Sequence, residues 1–163
     1  MPIEGYELLL AAKRLVNSHM EVDHRTAASR AYYAALHCSF ALRDLLDFGP
    51  LPLTRQAEGT HRRMIRLLLE AHPGERCKVH VGRLRAVAHL LRMVRDLRSL
   101  ADYRLDLPFN RPLAMHAILG AERVVREVRE ILATCAAEPP APPTRIIPSE
   151  AENGPDASPD PAS

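Results

Sequence analysis

The chain is poor in the features that announce most chemistries. Its 163 residues hold only three cysteines, Cys38, Cys77 and Cys135, an odd and scattered set that does not describe a disulfide framework. The N-terminal Met-Pro-Ile-Glu-Gly-Tyr has neither a basic segment nor an apolar run, so no secretion signal is read there. A reduced, cytoplasmic setting is expected. No apolar stretch approaches the roughly 18 residues that cross a bilayer, so a soluble chain with no membrane partner is expected. A glycine-rich phosphate loop, a serine nucleophile elbow and a distinctive pair of carboxylates are all missing. Cys77-x2-His80 is half a zinc ligand set, with His72 and His89 as conceivable completions, but no second paired motif closes a tetrahedron. No metal or other cofactor is therefore expected. No segment alternates with period two for long enough to make a strand.

Lysine is scarce as well: two lysines stand against twenty arginines. The net charge of +2 is unevenly spread, because residues 138–163 carry five acids and one base, whereas residues 1–137 carry 21 bases against 15 acids. Most of that excess falls in residues 54–104, with eleven arginines and Lys78 against five acids. A basic middle third is compatible with an anionic partner such as RNA, a nucleotide or an acidic protein. A coding preference for arginine would produce the same composition without any partner.

The apolar spacing is helical throughout. Residues 4–18 place Tyr6, Leu9, Leu10, Lys13 and Val16 at helical intervals. A long second helix is expected from Asp23, as its cap, to Phe48-Gly49-Pro50, where glycine and proline stop it. Thr60 should cap a third helix that closes at His72-Pro73-Gly74, with Arg62, Arg63 and Arg66 on its open face. The fourth runs from about Val79 to Tyr103 on a core stripe of Leu84, Val87, Ala88, Leu91 and Val94, with Arg85, Arg92 and Arg95 off it. The fifth follows Pro112 and is written by Met115, Ile118, Leu119, Val125, Val128, Ile131 and Leu132, with Glu122, Arg126, Arg129 and Glu130 outside. The expectation is an all-α antiparallel bundle of about five helices in one domain, residues 1–137. Residues 138–163 include eight prolines and few large apolar groups, so a disordered acidic tail is expected there.

The second helix carries the most information. In Arg30-Ala31-Tyr32-Tyr33-Ala34-Ala35-Leu36-His37 an arginine and a histidine stand seven residues apart in a segment with little else polar. Seven residues miss two full turns by only about 20°, so Arg30 and His37 lie on one line, with Tyr33 between them and Asp23 and Asp44 along its extension. The other faces are apolar, which marks a buried helix. Its polar stripe is either an internal network, with Arg30 paired to a carboxylate such as Asp102 and Tyr33 completing it, or the wall of a working groove.

The Arg30–His37 segment, Thr60-His61 at the opening of a helix, and Arg98-Ser99-Leu100-Ala101-Asp102-Tyr103 at the end of the next together resemble the HEPN domain superfamily. The likeness is to the bacterial and archaeal branch that reads R-A-Y-Y-A-A-x-H on the second helix and R-x-x-A-D-Y at the end of the fourth. It covers roughly residues 4–135. The resemblance implies a helical bundle, usually a homodimer, often paired with a small nucleotidyltransferase. In many branches it implies a metal-independent endoribonuclease in toxin–antitoxin or antiphage defence; a non-catalytic nucleotide- or partner-binding module is the alternative. It marks Arg30, His37 and Tyr33 as catalytic candidates and Arg98, Asp102, Tyr103 and His61 as binding candidates.

Cleaving RNA without a metal needs a base for the 2′-hydroxyl proton and a cation for the developing phosphorane charge. Arginine and histidine are the right pair of types, and two positions compete for the role. Arg30-x6-His37 offers both, about 10 Å apart along the helix axis. Arg98 lies late in the domain, where the ribonuclease branches carry their signature, but five residues on stands Tyr103, which is no base at neutral pH. On a straight helix Arg98 and Tyr103 point about 140° apart, so they meet only where the helix bends or ends. Arg98 and Asp102, four apart, also suit a plain helical ion pair.

Overall fold

A computed structural model of the chain describes residues 5–45, 59–71 and 81–137. Within these are five helices: α1 (Gly5–Leu15), α2 (Glu21–Leu45), α3 (Thr60–Glu70), α4 (Val81–Tyr103) and α5 (Arg111–Ala137). The expected turn at Phe48-Gly49-Pro50, the closure at His72-Pro73-Gly74, the Cys77-x2-His80 pair and the expected tail at 138–163 lie outside the described residues. The expected all-α antiparallel bundle is the fold observed.

The helix at the centre is α2, which touches each of the other four. Its sequence explains why: Ala27, Ala28, Ala31, Ala34 and Ala35 are completely buried, and side chains this small let several helices approach one axis. Gly5 on α1 comes so near that a Cβ there would sit 3.1 Å from the Ala34 carbonyl oxygen. A second close approach joins α4 to α5, where a Cβ on Gly120 would fall 2.7 Å from Val94 Cγ2. These two helices run antiparallel, with Arg83 near the start of α4 bonded to Glu127 and Glu130 late in α5.

The helix ends follow from their sequences, with two departures from expectation. The start of α2 comes at Glu21, ahead of Asp23; the Met20 carbonyl accepts the first helical bonds from Asp23 and His24. Glu21 and Asp23 thus serve the first turn by charge, not as a cap. Thr60 is likewise the first helical residue of α3: the cap position is Gly59, which has no side chain to bond with. At α5 the side chain of Asn110 accepts the Leu113 amide, and Pro112 falls where a helix has no use for its missing N–H.

The expected core stripe of α4 is buried throughout, and on α5 Ile118, Val125, Val128 and Ile131 are buried as expected. Leu119, placed on that stripe by spacing, is 51% exposed, and Ala114, Ala117, Ala121 and Val124 complete the face instead. The stripe is centred on small residues that spacing alone undervalues. Arg62 and Arg63 are exposed as expected, whereas Arg66 is half-buried and paired with Glu70. Cys38 is a free thiol whose burial pushes its pKa up. Cys135 is disulfide-bonded, contrary to the expectation of a reduced chain. No helix among the described residues is long and apolar enough to cross a membrane.

Candidate functional site

Three helices bring polar side chains to one place. On α2, Tyr32 and Tyr33 are consecutive and therefore point about 100° apart; Tyr32 is wholly buried and Tyr33 half-buried. The first turn of α3 sets His61 against both. Its ring stacks on Tyr32 with centroids 5.4 Å apart and meets Tyr33 edge-on at 5.9 Å. The Tyr32 hydroxyl lies 2.6 Å from His61 Nδ1.

The electrostatics of that pair follow from burial. Burial pushes the Tyr32 phenol up to about 12 despite the nearby charges of Arg95 and Arg98. Burial also lowers the pKa of His61, helped by the charges of Arg98, Arg95 and His37. At neutral pH both groups are uncharged. A buried hydroxyl proton needs an acceptor, and His61 Nδ1 is the one Tyr32 has among the described residues. The bond therefore runs from the phenol to Nδ1, which leaves the imidazole proton on Nε2 as a donor.

The last turns of α4 supply the third wall. Arg98 Nε stands 2.6 Å from Asp102 Oδ2. That nitrogen is buried and the angle lies outside hydrogen-bond geometry, so charge holds the pair. The guanidinium lies between two tyrosine rings, 5.7 Å from the Tyr33 centroid and 5.0 Å from that of Tyr103. Although 140° separates Arg98 from Tyr103 on a straight helix, α4 ends at Tyr103, and a long arginine spans the remaining gap. Burial works against the charge of Arg98 but is outweighed by hydrogen bonding to Tyr103 and by the charge of Asp102, and its pKa is raised.

Between these walls opens a hollow of about 460 Å³, lined by Tyr33, His61, Arg62, Arg95, Asp96, Arg98, Ser99 and Tyr103. Its three arginines differ in freedom. Arg98 is fixed; among the described residues Arg95 is held only by the exposed neighbouring Asp96. Arg62 is exposed and has no ion pair among the described residues. Tyr103 is 69% exposed, with the Arg98 guanidinium beside its ring, so it offers aromatic surface at the rim.

The structure thus brings together Tyr33, His61, Arg98 and Tyr103 of the sequence candidates, with Asp102 behind Arg98. Arg30 lines a neighbouring hollow instead, and it is exposed rather than paired with Asp102. His37 is exposed, packs edge-on against Phe40 at 5.6 Å, and lines neither hollow. The ion pair expected of Arg98 and Asp102 is present. Arg62, Arg95 and Tyr32 were not among the candidates. Arg62 adjoins His61 and Arg95 sits one turn before Arg98, which was the available signal; nothing in the sequence marks Tyr32 as the partner of His61. Among the described residues no group of three or more His, Cys, Asp or Glu could hold a metal ion. Compared with models of known protein families, with curated proteins and with solved structures, the chain matches none.

Proposed function

We propose that this protein is a HEPN-like RNA-binding module of a toxin–antitoxin or antiphage defence system, and that the hollow between α2, α3 and α4 is where a single strand binds. One observation carries the reading: two weakly engaged arginines, Arg62 and Arg95, share a hollow with the exposed Tyr103. Guanidinium groups hold phosphates and an open aromatic ring stacks a base, the pairing that single-stranded nucleic acid requires. The neutral His61, donating from Nε2, adds a hydrogen bond to a phosphate or sugar oxygen. In this protonation pattern His61 is a donor rather than a base, which supports binding as the primary role. The resemblance adds two partner proposals, a second copy of the chain and a nucleotidyltransferase.

The test is fluorescence anisotropy of a labelled single-stranded RNA with the full chain in EDTA, over a range of salt. Arg62→Ala combined with Arg95→Ala should weaken binding about tenfold or more and flatten the salt dependence by about 0.7 in log–log slope per lost phosphate contact. Unchanged affinity in that variant would sink the reading. Gel analysis of the same mixtures reads cleavage. Metal-independent cleavage lost in His37→Ala or His61→Ala would make the protein a ribonuclease and identify its histidine, whereas intact RNA leaves a binding module.

A further inference from the structure

Beside the first hollow lies a second of about 440 Å³, and Tyr33 is a wall common to both. Its other features match one kind of ligand. The exposed apolar side chains of Val22 and Leu105 form part of its lining. Asp102 contributes a carboxylate whose Oδ2 faces Arg98 and the Ser29 hydroxyl, while Oδ1 has no partner among the described residues. Arg30 adds a guanidinium that is exposed and makes no ion pair among the described residues.

Each of these groups restricts the occupant. A carboxylate only accepts hydrogen bonds, so the edge it meets must carry N–H groups. Apolar side chains that stand free in water gain by covering the faces of a flat ring. A guanidinium beside them suits a phosphate. A planar ring with an N–H edge, attached to a phosphate, is a nucleobase in a strand.

We infer that the second hollow is a base-reading subsite selective for guanine, occupied by the nucleotide adjoining the one bound in the first hollow. Guanine presents N1–H and the N2 amino group side by side, a match for the open Oδ1 and for the lone pair that the Ser29 bond leaves on Oδ2. Adenine and cytosine present one amino group next to an acceptor. Uracil presents a single N–H between two carbonyls, which a carboxylate repels. Arg30 holds the phosphate on the outer side of this base, and Arg62 and Arg95 hold the strand on the other side of Tyr33. The inference rests on the RNA-binding reading and adds to it a sequence preference and roles for Arg30 and Asp102.

The experiment is calorimetric titration of the full chain, in EDTA, with the dinucleotides pGpU, pApU, pCpU and pUpU. Wild type should bind pGpU about tenfold or more tightly than pUpU, the discrimination one bidentate base contact provides. Asp102→Asn should remove most of that ratio. Because Asp102 also pairs with Arg98, Leu105→Glu serves as a second variant: it changes an exposed side chain and should weaken pGpU more than pUpU. Arg95→Ala should weaken all four by the same factor and leave their ratios alone. Equal affinity of wild type for all four dinucleotides would overturn the guanine subsite while leaving the first hollow as an RNA site. A guanine preference that survives both Asp102→Asn and Leu105→Glu would also overturn it. An Arg95→Ala variant that binds every dinucleotide as wild type does would overturn the RNA-binding reading itself.

Discussion

Arg25, at the start of α2, and Arg95, about two turns before the end of α4, are both partly buried and differ in how much of each guanidinium the protein itself uses. Arg25 spends all five of its N–H donors: two bonds go to Glu21 and one each to the carbonyls of Ala101, Arg104 and Leu107. Its guanidinium also lies 5.6 Å from the Phe109 ring centroid. Glu21 in turn accepts the Phe109 amide, and its carboxyl is held below the usual range by Arg25 first and by that amide second. The cluster ties the start of α2 to the end of α4 and the turn beyond it. Arg95, by contrast, meets only the adjacent carboxylate of Asp96 among the described residues, and that carboxylate is itself exposed. A saturated arginine is a structural tie; one left with donors to spare can bind something else.

The most direct way to break this comparison is Arg25→Ala. Leaving the part-buried Ala101 carbonyl without its donor should cost about 2 kcal/mol, measured by chemical denaturation, whereas Arg95→Ala should cost less than about 0.5 kcal/mol. Equal losses in the two variants would erase the distinction. Tyr32→Phe keeps the buried ring but leaves His61 Nδ1 without its partner, and should cost about 1 kcal/mol. It should also remove the absorbance change that marks phenol ionisation near pH 12, since burial pushes Tyr32 up to about 12. Because that folded value lies above the unfolded one, the stabilisation linked to the phenol proton holds below pH 10 and is lost as pH rises through about 12.

His61 sharpens the comparison by pH. Its folded pKa is lowered from 6.5 by burial and neighbouring positive charge, so the unfolded chain takes up its proton first as the solution is acidified. The stabilisation linked to neutral His61 is therefore present above pH 6.5 and falls away as pH drops toward the folded value. Denaturation midpoints measured across this window should decline in wild type and decline less in His61→Gln. Arg30→Ala should have the smallest effect. As an exposed residue it should leave the melting temperature near wild type, within about 0.5 kcal/mol; a loss of about 3 kcal/mol would restore the internal network that the sequence also allowed.

How much of the site was legible in advance differed from residue to residue. Arg98 with Asp102 was readable because i,i+4 neighbours on a helix meet whatever surrounds them. Tyr33 and His61 were readable as candidates, but their meeting was not, since it depends on how α3 lies across α2. Arg30 and His37 share a line on α2 by spacing, yet Tyr33 and Arg30 border one hollow while His37 packs on Phe40 away from both. A common helix line guarantees a common direction, not a common cavity. Arg62 and Arg95 looked like solvated surface charges, because no local pattern tells an arginine over a hollow from one over open water.

By itself the sequence determined the five helices and the buried stripe of α4, because apolar periodicity acts within a turn or two of the chain. It also determined that the positive charge would gather in the middle third. Tertiary structure alone decided which charges would be neutralised and which left available. That choice depends on distances between helices far apart in sequence: Arg25 reaches carbonyls about 80 positions away, and His61 meets a phenol 29 positions away. Contacts of that range are set by packing around the alanine-rich α2, not by any local pattern.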